Sequence, residues 1–524
     1  MVRQAPLLIA FVLLASMPAA AQSMLPPLPP PEPASGFDAR LDQVFNGAPG
    51  SSPKMEPPSQ AGDAAKIPGG SEPVDTAAVI PLDATIVPPT PAIDSSIEFQ
   101  VGKADLFNDD DSTGGEIRWR YFNERARLRA GDPRRRTTYQ QWRVLVDAAL
   151  GTESLEFKAT YIDASNFGEE LPRTDFDENR SDMLQLYGDL RLIRAGDVES
   201  RFRLGRQLLD YGSQRMVSSL DWANTFRNFE GGRFYTTFGE ASLEAFVTRP
   251  VNAAAGSPLR SRSYDHADQS ALFSGLYGST TTDGLGQFDL YWLFLDESEP
   301  QPTRLDGSVH TIGGRWNVEV PTLRGGPASA WLFELEGAGQ FGEDNFIAGG
   351  NGQNVAAGAL SAVGGLRLAN ETSAFTISGF CWAGSGDRSA SDGRINTWHI
   401  LYPDNHRYWG LIDNLSGSNL TDLGLQAKFA PVTDVTFDVQ WHRFYKTRSG
   451  DFVYDVQGLP VPGTAATPGD IGSELDLSLI LGKSADSSFQ IGYFWFWYGD
   501  AINANPALSR PDAGQLYVSV SSQF

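Results

Sequence analysis

The chain has 524 residues and a formal net charge of −23, and 41% of its residues are hydrophobic. An acidic chain repels the phosphate backbone of nucleic acids, so the charge argues against nucleic acid as a partner. The only cysteine is Cys381, which excludes an intrachain disulfide. After the N-terminal region, no stretch approaches the roughly 18 continuous apolar residues of a membrane-spanning helix, so we expect no helical spans.

The N-terminal residues have the features of a secretory signal peptide. Arg3 precedes an apolar run from Leu7 to Leu14, and the small residues Ala19–Ala21 precede Gln22. The run is shorter than the roughly 20 residues of a spanning helix, which disfavours a transmembrane anchor. No cysteine follows the cleavage site, which disfavours a lipoprotein. We therefore predict that residues 1–21 are a signal peptide that is removed on export.

Residues 22–115 are predicted to form a Pro-rich, disordered periplasmic segment. The part from Met24 to Pro91 holds sixteen of the 33 prolines of the chain, mixed with Ala, Ser, Gly and Asp. Such a sequence cannot bury enough apolar surface to offset the entropy of ordering. We predict a spacer, and the alternative is a tether to the cell wall or to a periplasmic export partner. Residues 107–115 (FNDDDSTGG) offer three aspartates for Ca²⁺, but a solvated acidic loop is the simpler interpretation.

From residue 116 to residue 524 the sequence alternates between apolar and polar residues, which is typical of strands with two different faces. Leu475, Leu477 and Leu479 share one parity, for example, and Glu474 and Asp476 share the other. Turn residues separate such runs. They predict eighteen strands, at about residues 116–130, 139–150, 153–165, 182–194, 199–209, 229–238, 240–249, 269–280, 286–296, 307–318, 328–341, 354–369, 373–384, 419–430, 432–446, 472–484, 487–498 and 513–524.

The connections between these strands alternate between short and long. Residues 150–153 and 430–432 are short connections, whereas residues 210–228 and 384–418 are long. Short turns on one side and long loops on the other are typical of outer-membrane barrels, and a soluble β-sandwich, the alternative, has no reason to segregate its loops. We predict an all-β fold, a transmembrane antiparallel β-barrel of about 18 strands with short periplasmic turns and long extracellular loops. The compartment is then the outer membrane of a Gram-negative-type envelope.

Two blocks of the sequence resemble the alginate-export family of outer-membrane β-barrels. The first is LGRQLLDYGSQR, residues 204–215, followed by LDWANTFRNFEGGRF, residues 220–234. The second, residues 384–420, contains an SGD motif, an aromatic–Pro–His element, and an Asp and an Asn that follow it. The resemblance covers roughly residues 118–524. It implies an eighteen-stranded barrel with an arginine-lined pore that passes an anionic polyuronate.

The lumen-facing parity of the predicted strands carries many arginines. A guanidinium group can hold both oxygens of a carboxylate, and a ring of such groups selects anions. Acidic residues share this parity and dominate the later strands, so the alternative is that the charges pair and only hydrate the lumen. The parity changes within the first strand, which leaves Arg118 and Arg120 unassigned. The predicted substrate path consists of Arg125, Arg127, Arg129, Arg143, Arg191, Arg203, Arg233, Arg315 and Arg367.

A second set of residues lies in the long connections of the two blocks. Arg206 shares the parity of lipid-facing Leu204, so we place it where the strand enters the loop, beside Asp210 or Asp221. A connection as long as residues 384–418 can fold inward as a gate or plug, and the alternative for its polar residues is loop scaffolding. The predicted loop and gate set is Arg206, Asp210, Arg215, Asp221, Asp387, His406 and Asp413.

The sequence does not indicate an enzyme, a cofactor or a metal. The five histidines have no metal-ligand spacing such as His-Glu-x-x-His, and no Gly-x-Ser-x-Gly motif is present. We predict a passive channel whose partners are outer-membrane lipid and an anionic polysaccharide or small anions. Two alternatives stay open: a general diffusion porin for small solutes, and a structural envelope anchor that uses the Pro-rich segment.

Overall fold

The computed structural model describes residues 113–128, 136–168, 176–252, 265–298, 306–322, 328–344, 353–370, 372–389, 392–484 and 487–524. The predicted signal peptide and all but the last three residues of the Pro-rich segment lie outside these ranges. The aspartates considered for Ca²⁺ and Arg129 also lie outside the described residues. These assignments stay predictions.

Eighteen long antiparallel strands make up the described fold, numbered β1–β18 along the chain. Their bounds are Thr113–Arg125, Arg136–Thr152, Leu155–Phe167, Asn179–Ala195, Val198–Gln207, Phe229–Phe238, Ala241–Asn252, Ala271–Thr282, Gly286–Glu297, Gly307–Pro321, Ala330–Asp344, Gln353–Ala369, Ala374–Gly384, Leu420–Val432, Val435–Lys446, Asp470–Ser484, Ser487–Tyr498 and Ala513–Gln523. The connections hold two two-residue strands, His266–Ala267 and Arg394–Ile395, and two single-turn helices, α1 (Asn405–Tyr408) and α2 (Asp500–Asn503).

The strands close into one barrel, because each pairs with its neighbours in sequence and β18 pairs with β1. In that last pairing Trp119 lies opposite Val520. The seam continues to the chain end, where the backbone N–H of Gly115 donates to the carbonyl oxygen of Phe524 (2.9 Å). Closure leaves no sheet edge and gives the backbone groups of every strand a partner. The predicted eighteen-stranded antiparallel barrel is confirmed.

Side chains alternate between the two faces of the barrel wall, as the sequence predicts. On β15, Val439 and Trp441 point outward and are 40% and 41% exposed, whereas His442 points into the lumen and is 1% exposed. On β16, Leu477 points outward and Asp476 inward. Because the period of a strand is two residues, an alternating sequence specifies which residues face the surroundings.

The first strand differs from its prediction. Ile117 points outward and is 45% exposed, whereas Arg118 and Arg120 point into the lumen and are buried. The strand ends at Arg125 because Ala126 has a positive φ of 53°. Arg125 is therefore on the outward face, and its predicted place in the substrate path is wrong. The break at Ala126 separates two runs of residues with opposite parity. From the sequence, both runs are predicted as one strand, residues 116–130.

The connections alternate between short and long around most of the barrel. Seven have two to four residues, such as residues 196–197 and 433–434, and the longest include residues 208–228 and 385–419. The alternation is lost from β10 to β12, where residues 322–329 and residues 345–352 are equally long. Among the described residues no helix has the length and apolar character needed to cross a membrane. A buried aromatic and aliphatic cluster lies inside the barrel, where Trp409 and Ile412 of a long loop pack among strand residues such as Phe494. Long loops therefore enter the lumen.

Candidate functional site in the barrel lumen

The connection from β5 to β6, residues 208–228, folds into the lumen, and we call it the first inner loop. Asp210 orders its turn, because its Oδ1 accepts a hydrogen bond from the backbone N–H of Ser219 (2.7 Å). Gly212 has a φ of 54°, and a Cβ there would collide with the phenol oxygen of Tyr277. Glycine alone satisfies both conditions without strain. The loop is thus a packed element with a defined path.

Residues 221–223 are one end of the part of the first inner loop that crosses the lumen. They contact a basic wall formed by β1 and β2. Arg118 and Arg120 each donate from Nη1 to a backbone carbonyl oxygen of the loop (3.0 and 2.5 Å). Arg143 binds the carboxylates of Asp221 (2.7 Å) and Glu116 (2.8 Å). Three buried guanidinium groups thus share two carboxylates, and neutral carbonyl oxygens provide further hydrogen bonds. This wall keeps surplus positive charge.

Residues 213–215 are the other end of this crossing part, and buried ion pairs with β11 hold them. Arg215 contacts Glu334 and also Glu336 (3.0 Å), and Ser213 donates from Oγ to Glu336 (2.5 Å). Arg315 of β10 binds Glu334 as well (2.8 Å). Burial lowers the pKa of Arg215, but the two glutamates outweigh it and raise the pKa above its ordinary value. The loop therefore crosses the lumen from β1–β2 to β10–β11.

The connection from β13 to β14, residues 385–419, is the second inner loop and also enters the lumen. The backbone N–H of Ile412 donates to Glu474 (2.8 Å), and that of Leu411 donates to Asp476 (3.4 Å). Both carboxylates are buried, with 0% and 1% exposure. Neighbouring buried carboxylates repel each other, and hydrogen bonds from N–H groups stabilise their charged forms. The loop thus supplies donors to an acidic wall.

The far side of the second inner loop contacts the residues that follow β1. Asn414 accepts a hydrogen bond from the backbone N–H of Leu128 (2.8 Å), and Arg127 Nη2 donates to the carbonyl oxygen of Asp413 (3.2 Å). Arg127 also pairs with Glu124 (2.6 Å). In the structure, Arg127 therefore anchors a loop as well as lying inside the barrel.

The two inner loops contact each other. The indole of Trp222 stacks on the imidazole of His406 with ring centroids 3.5 Å apart, and its Nε1 donates to Asp413 (3.2 Å). Asp413 lies 3.0 Å from Nδ1 of His406. Burial alone would raise the pKa of Asp413, but the contacts with His406 and Trp222 hold it below its ordinary value. The loops form one unit across the lumen.

Asp387 lies where the second inner loop contacts the connection from β15 to β16. Its backbone N–H donates to Asp451 Oδ2 (2.8 Å), and Thr397 donates to the same carboxylate (2.6 Å). Lys446 binds four carbonyl oxygens of that connection at 2.7–3.1 Å. Asp387 thus occupies a scaffolding position. Within the described ranges, no three or more His, Cys, Asp or Glu side chains are placed to hold a metal ion.

Apart from Arg125, the described strand arginines of the predicted substrate path lie beside carboxylates. Arg203 is typical: it binds Asp189 (2.9 Å) and lies over the ring of Tyr187 at 3.9 Å. Outside the β1–β2 wall the path is therefore polar and largely charge-compensated. The other pairs are Arg191–Glu199, Arg233–Glu244, Arg315–Glu334 and Arg367–Glu319.

Arg206 has different partners from those predicted. It stays on the outward parity of Leu204 and binds Glu230 (2.6 Å) and Asp182 (2.8 Å), so the predicted contact with Asp210 or Asp221 is wrong. Cross-strand neighbours on β4 and β6 are closer to it than loop residues further along the chain, because strand pairing fixes their distance.

Sequence reasoning also missed residues that hold the inner loops. Arg118 and Arg120 were left unassigned, although the alternation of Ile117, Trp119 and Tyr121 was the signal that placed them inside. Glu474 and Asp476 were counted as lumen acids only. Their contact with loop N–H groups has no sequence signal.

Solved structures of Pseudomonas aeruginosa proteins are similar to this chain. OccK10 (OpdN) has a TM-score of 0.50 at 13% identity, with 79% of this chain and 99% of that chain covered. OccD3 (OpdP) has a TM-score of 0.49 at 14% identity (79% and 91% covered), and the outer membrane protein OprD has 0.48 at 11% (79% and 94% covered). At these identities the likeness concerns the fold alone. No curated protein matches the chain.

A closed eighteen-stranded barrel with an apolar outer face and a charged lumen is the architecture of an outer-membrane channel. A sequence model with the description alginate export matches residues 110–515. The chain belongs to the alginate-export family, and its place is the outer membrane. The resemblance noted in the sequence is thereby confirmed.

Proposed function

We propose that this channel passes an anionic polysaccharide of the polyuronate type along the basic wall of β1 and β2. The observation that carries the proposal is that Arg118 and Arg120 donate to loop carbonyl oxygens, while the closest carboxylate of Arg118, that of Asp221, is 3.9 Å away and Arg120 has no ion pair among the described residues. A guanidinium group binds a carboxylate more strongly than a neutral carbonyl oxygen, because both partners are charged and the two oxygens can accept two parallel hydrogen bonds. A uronate carboxylate that reaches this wall is therefore a better acceptor than the loop carbonyl it replaces.

The same exchange explains why a loop lies on this wall. While no polymer is present, the carbonyl oxygens of residues 221–223 satisfy the guanidinium groups and close the path. When a carboxylate binds Arg118 or Arg120, this end of the loop is released and the path widens. A polymer with one carboxylate on each sugar can repeat the exchange as it advances. The family description, alginate export, agrees with such a substrate.

The second candidate is a general diffusion porin for small solutes. The observation that favours it is the ion pairing of Arg203 and Arg233 with Asp189 and Glu244. Paired charges hydrate a lumen without selecting ions of one sign, whereas a surplus of one sign of charge selects ions of the opposite sign. The two candidates therefore differ in whether the charge of the β1–β2 wall governs conduction.

Single-channel conductance across a salt gradient tests the proposal. We expect anion selectivity and reversible block by polyuronate oligomers in the native channel. The double variant Arg118→Gln/Arg120→Gln is expected to lose at least tenfold in oligomer affinity, because it keeps hydrogen-bonding groups and removes both charges. The matched control is Arg443→Gln, which removes an arginine from the outward face of β15.

Cation selectivity without block in the native channel would contradict the proposal and support the general porin. Equal block in the double variant would also contradict it, because the β1–β2 wall would then play no part. For the N-terminal region we propose a periplasmic spacer. A chain lacking residues 24–91 should keep its conductance and its attachment to the envelope, whereas lost attachment would favour the structural anchor.

A further inference from the structure

The outward face of the barrel carries arginines at the ends of strands that lead into long loops. Three of them have carboxylate partners on the described strands or loops. The pairs are Arg180–Asp163 (3.1 Å), Arg206–Glu230 (2.6 Å) and Arg443–Asp470 (2.7 Å). Arg249 of β7 also points outward and donates to three backbone carbonyl oxygens at 2.7–3.3 Å. These four arginines therefore all have acceptors within the described residues.

Arg125 and Arg136 depart from this pattern. They end β1 and begin β2, lie on the outward parity, and are direct cross-strand partners. Directly opposite residues have Cβ atoms about 4.5–5.5 Å apart, and like charges there are destabilising. Within the described residues neither guanidinium has a carboxylate partner, and the buried Nε of Arg125 has no hydrogen-bond acceptor.

The neighbouring charges do not compensate the pair. Glu124 points into the lumen and pairs with Arg127. On β18, the residue opposite Arg125 is Gly514, which carries no side chain. Among the described residues, the outward corner of β1–β2 therefore holds two adjacent arginines without a carboxylate partner.

The outward face below the pair changes from polar to aromatic. Asn123 donates to Thr138 (3.0 Å), and two outward pairs further down the wall Trp119 donates to Gln140 (3.1 Å). Trp142 follows beside Trp119, with ring centroids 6.5 Å apart. Aromatic side chains of this kind mark the level where lipid head groups meet hydrocarbon. The arginine pair lies three outward-facing pairs above Trp119 and Trp142, on the long-loop side of that level.

We propose that Arg125 and Arg136 form a binding site for a phosphate group of a lipid in the membrane leaflet on the long-loop side. One phosphate between the two guanidinium groups removes their repulsion and accepts hydrogen bonds from both. The acyl chains of the same lipid then lie along the apolar outer wall beneath Trp119 and Trp142. The site is on the outside of the barrel and is independent of the path proposed for the polysaccharide.

Native mass spectrometry of the purified full chain in detergent tests this site. The probe is a diphosphorylated, acylated glucosamine disaccharide, compared with the same glycolipid after removal of its phosphates. We expect the phosphorylated probe to bind at least tenfold more tightly than the phosphate-free form. The double variant Arg125→Gln/Arg136→Gln is expected to lose that tenfold difference. The control variant Arg180→Gln, whose arginine is paired with Asp163, should keep it.

Three results would overturn the proposal. The first is equal binding of both glycolipids, the second is an undiminished phosphate preference in the double variant, and the third is displacement of the lipid by millimolar inorganic phosphate, which would indicate a site for the free ion. Retained heat-dependent mobility of the barrel in gel electrophoresis shows that each variant is folded. A double variant that fails this check is replaced by the single variants Arg125→Gln and Arg136→Gln, which are judged by the same criterion.

Discussion

The two ends of the first inner loop are attached to the barrel in different ways. At the β10–β11 end, Arg215 is 6% exposed and forms ion pairs with two buried glutamates. At the β1–β2 end, the loop presents carbonyl oxygens and Asp221, whose side chain is 67% exposed. The first attachment loses a buried charge partner when it breaks, whereas the second loses hydrogen bonds to neutral carbonyl oxygens and one ion pair whose carboxylate is exposed.

This difference indicates which end moves. Removing one partner of a buried ion pair costs about 3–5 kcal/mol, whereas an exposed pair contributes about 0–1 kcal/mol. We therefore expect residues 221–223 to detach from the wall while residues 213–215 stay in place. The lumen then opens beside β1 and β2, where the surplus positive charge lies.

The largest effect is expected from Arg215→Ala, which breaks the fixed end. Glu334 and Glu336 lose a buried partner, at a cost of about 3–5 kcal/mol. Chymotrypsin cleavage of the first inner loop in vesicle-inserted protein should accelerate at least about a hundredfold, since every 1.4 kcal/mol is a factor of ten. Arg407→Ala is the control, because Arg407 lies on the second inner loop and its side chain is 46% exposed. Equal acceleration in both variants would contradict the assignment of the fixed end.

A smaller effect is expected from Arg120→Gln, which weakens the mobile end. The carbonyl oxygen of Trp222 loses its donor, at a cost of about 1–3 kcal/mol, but Arg118 and Arg143 lose a repelling neighbour. We expect cleavage of the loop to rise by about tenfold or less. A larger rise than in Arg215→Ala would reverse the order of the two ends.

A pH effect is expected at the contact between the two inner loops. The pKa of Asp413 lies below its ordinary value, so the ionised form stabilises the folded contact. This stabilisation is complete above the ordinary aspartate pKa of about 3.9 and is lost as the pH falls through the lower folded value. Loop cleavage by an acid-active protease should rise at the lowest pH. The variant Asp413→Asn should remove this rise, and a persistent rise would contradict the role of Asp413.

The smallest effect is expected from Asp221→Asn. The carboxylate pairs with Arg143 but is mostly exposed, so the loss is expected to stay below about 1 kcal/mol. Single-channel recordings should show slightly more frequent openings with the same open conductance. A loss of all conduction would show that Asp221 belongs to the substrate path and is more than a loop contact.

The strands were predictable where each face has one chemical character. On β15 and β16 the alternation of apolar and polar residues determines parity without ambiguity, and the structure agrees. On β1 the same reasoning misplaced Arg125, because Ala126 takes a positive φ and shifts the residues that follow. An alanine gives no sequence signal for such a conformation, since positive φ is rare for residues other than glycine.

The candidate site was predictable in its parts but not in its contacts. The length of residues 384–418 indicated an inward loop, and the described residues of that segment do enter the lumen. Arg215 and Asp413 were predicted as loop residues without their partners. Arg215 meets glutamates more than a hundred residues away in sequence. Only closure of the barrel brings these groups together.

The sequence by itself determined the antiparallel barrel, its eighteen strands, its alternation of short and long connections, and its family. These features depend on local periodicity and turn residues, which involve only residues close together in the sequence. The tertiary structure alone decided which arginines are compensated, which loops cross the lumen, and which end of the first inner loop is weakly held. Those outcomes depend on cross-strand register and on contacts between segments that are distant in the sequence. Two charges interact strongly only at short distance, and the closed barrel is what brings these charged side chains close together.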